Sequence, residues 1–134
     1  MKRVTGLGGV FFKAENPGAL MEWYRDRLGL QPEPYGPSVN FEWRDADDPS
    51  KSGSTVWSIF EKDTEYFGTK NAGFMMNFRV DDIDALLEAL AAEGVEIDPK
   101  REDHEYGRFA WIVDPEGNRI ELWEPPKENE KEAL

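Results

Sequence analysis

"VFFKAENPGALMEWYRDRLGL", residues 10–30, and "MNFRVDDIDALLEALAAEGVEI", residues 76–97, are two renderings of one pattern. Phe12 answers to Phe78, Ala19 to Ala85, Leu20 to Leu86 and Glu22 to Glu88, each pair 66 positions apart (78 − 12 = 66). Gly29 answers to Gly94 after a slip of one residue. Further along, Asp48-Pro49 matches Asp114-Pro115 and Trp57 matches Trp123 at the same spacing. Two copies are too few for a solenoid, which needs at least three. A pseudo-symmetric pair of supersecondary units is the natural reading.

The local signals give each unit its order. Val10, Phe12 and Ala14 alternate with Phe11 and Lys13, the period of a strand. Asn16-Pro17 supplies a helix cap followed by proline at the first helical position. Leu20, Trp23, Tyr24 and Leu28 have helical spacing, and Gly29 stops the helix. In the second copy Asp82 caps, Ile83, Leu86, Leu87 and Leu90 form the buried stripe, and Gly94 ends it. Two further strands follow in each copy, over residues 39–44 and 55–60 and then over 108–113 and 119–123. The expected fold is α+β: two tandem βαββ modules forming a curved, mixed sheet around a concave cavity. A single domain is expected over residues 1–134, with module one at 6–61, a linker at 62–72, module two at 73–125 and a mobile charged tail at 126–134. Residues 45–53 read as a polar hairpin loop.

Composition narrows the partners. Acids number 28 against 16 bases, a net charge of −12. Such a surface repels nucleic acid and anionic membranes. There is no cysteine, which removes disulfides, thiolate metal sites and cysteine nucleophiles. No apolar run approaches the roughly 18 residues of a spanning helix. The start of the chain, MKRVTGLGGVFF, is Gly-broken and lacks a cleavage pattern, so no signal peptide is read and a cytoplasmic location is expected.

The duplicated βαββ, with "WYRDRLGL", "FRVDDIDALL" and "DPEGNRIEL" at its signature positions, resembles the vicinal oxygen chelate superfamily over about residues 6–125. That group includes glyoxalase I, extradiol dioxygenases, and fosfomycin- and bleomycin-resistance proteins. The resemblance implies a site enclosed by the two modules, often a metal centre with one ligand near the start of the first strand and one in the last strand of each module. Those positions fall on Gly9, on Met75, on Thr55 or Trp57, and on Glu121. Gly9 has no donor, Met75 is a poor ligand for hard divalent ions, Trp57 cannot ligate, and Thr55 would be a weak ligand. Glu121 alone survives, so no metal and no other cofactor is expected. The only histidine, His104, lies in the charged stretch "KREDHEYG" and reads as a solvated loop imidazole.

Strand parity supplies a lining in place of ligands. Gly9, Phe11, Lys13, Met75, Asn77 and Arg79 are expected to face inward. So are Thr55, Trp57 and Ile59 with Arg119, Glu121 and Trp123, and Trp111 from the strand before. Tyr106 and Arg108 are expected at the rim, and Tyr66 and Phe67 belong to a loop the pattern does not place. Gly9 is expected to leave open space. The candidate ligand-binding set is Phe11, Thr55, Trp57, Met75, Asn77, Tyr106, Arg108, Trp111 and Trp123. Glu121 is the candidate acid or base, since burial beside aromatics raises a carboxyl pKa. The expected function is binding of an aromatic or cationic small molecule in the manner of bleomycin-resistance proteins. A metal-dependent lyase, isomerase or dioxygenase like glyoxalase I is the alternative. A non-catalytic accessory or structural dimer with a filled interior is the third. The resemblance also implies a homodimer.

Overall fold

Both helices begin where the caps predict. In the computed structural model, which describes residues 3–68 and 72–127, Asn16 accepts a hydrogen bond from Ala19 N–H at 3.0 Å and opens α1 (Pro17–Leu28). Asp82 does the same for Ala85 N–H at 3.1 Å and opens α2 (Ile83–Ala92). Gly29 closes α1 in the left-handed region, φ 71°, where a side chain would be strained.

The chain forms two compact units. The first, Gly8–Met75, holds most of β1 (Val4–Ala14), α1, β2 (Ser38–Arg44) and β3 (Ser52–Glu61). Its strand order is β2-β3-β1, antiparallel between β2 and β3 and parallel between β3 and β1. The second unit takes in the remaining described residues. It holds most of β4 (Phe74–Val80), then α2, β5 (Glu96–His104), β6 (Gly107–Val113) and β7 (Arg119–Glu124) in the order β4-β7-β6-β5, with β4 and β7 parallel. The class is the expected α+β with mixed strand pairing. The tail from residue 128 and linker residues 69–71 lie outside the described residues.

Module two departs from the expected order by one strand. No strand is expected between α2 and residue 108, yet β5 pairs with β6 from Glu96 to His104. Its sequence, EIDPKREDH, has no apolar alternation and contains Pro99. The register with β6 shifts between Ile97 and Arg101, the stretch that contains Pro99. Proline is tolerated on edge strands and at bulges because its missing N–H is not required there. His104 therefore ends a strand rather than floating in a loop.

Each helix covers one face of its own strands. In the second unit Val80, Ile83, Leu86, Ala110 and Leu122 form a buried cluster, with Phe78, Leu87, Leu90, Ile112 and Ile120 packed against it. In the first unit Met21, Val39 and Ile59 are the buried centre, with Phe12, Leu20, Tyr24 and Trp57 around them. The expected α1 stripe is partly wrong: Met21 is buried, whereas Trp23 is 51% and Leu28 62% exposed. Among the described residues no helix is long and apolar enough to cross a membrane.

Candidate functional site

The second unit brings three predicted site residues into one row. Asn77 of β4 is paired with Glu121 of β7, and Glu121 with Trp111 of β6. Since Phe78, Ala110 and Leu122 lie against α2, alternation puts Asn77, Trp111 and Glu121 on the face away from that helix. All three are buried, with Trp111 at 0%, Glu121 at 1% and Asn77 at 2% exposure. Asn77 Nδ2 donates to Glu121 Oε2 at 2.5 Å. Asn77 Oδ1, also buried, has no hydrogen-bond partner among the described residues.

Cations of the chain itself surround this row. The Arg119 guanidinium lies 5.1 Å and Lys100 Nζ 5.3 Å from the Trp111 ring centroid. Arg119 is ion-paired with Asp98, and Lys100 with Glu102 at 3.0 Å. One register step along, Trp123 carries the Arg79 guanidinium 4.9 Å from its centroid and stacks on Phe109 at 6.1 Å. Burial lowers the Arg79 pKa, against an opposing pull from Asp81. Trp123 Nε1 donates to the Tyr106 carbonyl at 2.8 Å, which fixes the β5–β6 turn against β7.

Asp98 offers a pH-dependent handle on this arrangement. Hydrogen bonds from Lys100 N–H and from Arg119 hold its carboxyl below the usual carboxylate range. A carboxyl with a lowered folded-state pKa contributes stability above its unfolded pKa, and that contribution is lost as pH falls through the folded value. Asp98→Asn is therefore expected to cost stability at neutral pH, with the deficit narrowing below about pH 4. Urea unfolding of parent and variant across pH 2–7 reads this. A deficit that is constant over that range contradicts it.

Other predicted residues take different places. Trp57 packs on Phe12 at 5.2 Å and on Tyr24 of α1 at 4.8 Å, so it lies under the helix rather than facing inward. Thr55 and Ile59 share its parity, Ile59 in the same core, and Thr55 accepts a hydrogen bond from Trp43 Nε1 at 2.9 Å. The cause is a slip in the repeat. Phe12 pairs with Ile59 and Phe78 with Leu122, so the last strands correspond at 63 positions (122 − 59 = 63), not 66. An odd slip of three reverses every side chain. The module-one counterpart of Glu121 is therefore Ser58, whose Oγ lies 2.6 Å from Ser38 Oγ.

Gly9 does not leave a hollow. A Cβ there would meet Phe11 Cε1 at 2.7 Å, so the Phe11 ring fills the space the glycine vacates. Phe11 also contacts Phe60 at 5.4 Å. Phe67, from the loop left unplaced by pattern, is 1% exposed and packs on Phe60 at 5.1 Å, while Tyr66 stacks on the same ring. Met75 is fully buried. Arg108 turns to the helix side, 3.4 Å from Asp84 of α2. His104 pairs with Glu102 at 2.7 Å and stacks on Tyr106 at 4.8 Å.

A groove of about 480 Å³ lies on the helix side of the second unit, with walls that include Asp82, Asp84, His104, Arg108, Glu124 and Lys127. Its walls are charged, unlike the apolar lining usual for a small-molecule pocket. Glu124 already accepts the Ile83 N–H at 2.9 Å, so the helix N-terminus there is occupied from within the chain.

Phe109, Lys100 and Asp98 were not singled out from the sequence. Phe109 was within reach, since it stands two residues before Trp111 and shares its face. Lys100 and Asp98 were hidden by the unrecognised strand.

Comparison with known proteins gives three results. The sequence model described as Glyoxalase/Bleomycin resistance protein/Dioxygenase superfamily matches residues 10–122. No curated protein matches the chain. Among solved structures, Streptomyces coelicolor methylmalonyl-CoA epimerase in complex with 2-nitronate-propionyl-CoA is similar at a TM-score of 0.66 and 16% identity, covering 92% of this chain and 99% of that one. Methylmalonyl-CoA epimerase from Mycobacterium tuberculosis gives 0.57 and 20%, covering 96% and 93%. A glyoxalase/bleomycin resistance protein/dioxygenase superfamily member from Vibrio splendidus 12B01 gives 0.53 and 12%, covering 89% and 99%. At these identities the likeness is one of fold.

Proposed function

The chain belongs to the glyoxalase/bleomycin-resistance/dioxygenase superfamily, and from that premise we propose that it binds a small aromatic molecule on the Glu121 face of module two, without a resident divalent metal. The observation that carries the reading is the buried Asn77–Glu121 pair, joined at 2.5 Å, with Trp111 across from it. An interior built only to fill space has no use for a desolvated carboxyl and carboxamide, because burying such groups costs free energy that apolar side chains would not. Few polar groups set among aromatic rings is the composition of a recognition site.

The donor set supports the metal-free half of the proposal. Glu121 Oε2 accepts from the amide N–H of Asn77, so that lone pair is engaged from within the chain. Gly9, Met75 and Ser58 supply no carboxylate or imidazole at the other family positions. Among the described residues no three His, Cys, Asp or Glu side chains are grouped to hold a metal. The residues present do not fit a divalent ion, and no step is routed through one.

The ring faces refine the guest. Arg119 and Lys100 lie over Trp111, and Arg79 over Trp123. These are the positions an external cation would use, so a neutral aromatic guest fits better than a cationic one. A catalytic variant of the reading uses the same residue, with Glu121 moving a proton on a bound guest. The support is a carboxyl held in one orientation away from bulk water. A homodimer in the cytoplasm completes the proposal.

Two measurements test it. Metal analysis of protein purified without chelator should find less than stoichiometric zinc, nickel, manganese or iron; one equivalent of any of them overturns the metal-free reading. A thermal-shift screen of aromatic metabolites and antibiotics should yield a stabilising ligand, since a guest at a hundred times its Kd adds about 2.7 kcal/mol. A ligand whose effect survives Glu121→Gln and Trp111→Phe unchanged binds elsewhere and overturns the site.

A further inference from the structure

Asn77 uses only one end of its carboxamide. Nδ2 donates to Glu121, while Oδ1, on a side chain 2% exposed, has no partner among the described residues. A buried carbonyl oxygen without a donor is costly, and each such group in a folded protein calls for an explanation, a bound water or ion among them. Its neighbour in the row past Glu121 is the fully buried Trp111 ring.

We propose that Asn77 Oδ1 is the acceptor that selects the guest, so that the ligand is a neutral planar aromatic carrying an N–H or O–H donor. This rests on the binding reading above and deepens it. The orientation of the carboxamide settles the polarity. With Nδ2 turned to the Glu121 carboxylate, what Asn77 has left to offer is an acceptor. A guest that can only accept leaves Oδ1 unsatisfied, and sites built to pair a buried polar group reject analogues that lack the matching atom. Asn77 is thus a specificity residue as well as the group that orients Glu121.

Indole and benzofuran form the discriminating pair. They are nearly isosteric, and indole donates one N–H where benzofuran has an ether oxygen. Each is titrated into the full-length chain at neutral pH and followed through the Asn77 side-chain amide resonances. Indole is expected to bind at least ten-fold more tightly than benzofuran and to shift the Asn77 signals. In Asn77→Leu, which keeps the shape and removes the acceptor, the two probes are expected to bind equally, as read from the indole N–H groups of the protein's tryptophans. The indole-to-benzofuran ratio in the parent chain stands alone should that variant fail to fold. Equal binding of both probes, with the Asn77 signals moving, overturns the donor rule and leaves the small-molecule site intact. Neither probe moving the Asn77 signals at millimolar concentration overturns it as well, with only water at Oδ1; the broader reading then stands or falls on the ligand screen.

Discussion

Trp111→Ala is expected to lower the unfolding free energy by about 3–5 kcal/mol, the range for deleting a large aromatic ring from an interior. Trp111 is fully buried. It spans the row opposite Glu121, and the Lys100 ammonium and the Arg119 guanidinium lie over it. Removing the ring strips contacts from both cations and opens space beside a desolvated carboxyl. The melting midpoint should fall by on the order of 10 °C. Trp111→Phe retains part of the contact surface and should cost less than half as much. Trp23→Ala is the control: that ring is 51% exposed on α1, and its loss should cost less than about 1 kcal/mol. Equal losses at positions 23 and 111 would mean that the ring at 111 does not fill the interior.

Asn77→Asp is the second large effect, and its pH dependence carries the diagnosis. The substitution replaces an amide donor, 2.5 Å from Glu121 Oε2, by a second carboxyl. Two buried carboxylates that close cannot both be charged without a large penalty. The folded variant therefore holds a proton that the unfolded chain releases above about pH 4. Binding more protons when folded makes stability fall as pH rises, by about 1.4 kcal/mol per unit between the unfolded and the raised folded value. Near pH 4 the variant should unfold close to the parent. At pH 8 the deficit should reach about 3–5 kcal/mol, the scale of an uncompensated buried charge. Urea titrations at both pH values measure it, and a deficit of the same size at each would show that residues 77 and 121 do not share a proton.

The sequence disclosed the modules because capping chemistry is local. Asn16, Asp82 and Gly29 act on backbone groups within a few residues, and the structure uses each as read. The helix face of module two was equally open, since Ile83, Leu86, Leu87 and Leu90 repeat without interruption. β5 was hidden because an edge strand needs no apolar face, and EIDPKREDH has none to show. The orientation of β3 failed for a different reason. Matching tryptophans at a common spacing weighs identity, whereas facing depends only on whether an offset is odd or even. Trp57 and Trp123 look like counterparts, yet one packs under α1 and the other beside Arg79. Of the candidate site, Asn77, Trp111 and Glu121 were legible from parity. Their hydrogen bond and the cations around them depend on strand pairings that no local pattern encodes.

Pro99 sits in the outermost strand of its unit, inside a register irregularity and directly before Lys100 and Arg101. An exposed strand margin is a template on which a second polypeptide can lay itself down. Here one amide proton is missing, the backbone is bent out of line, and two positive side chains follow. That margin is poorly suited to seeding fibrils, so a protein under thermal stress should begin to self-associate elsewhere.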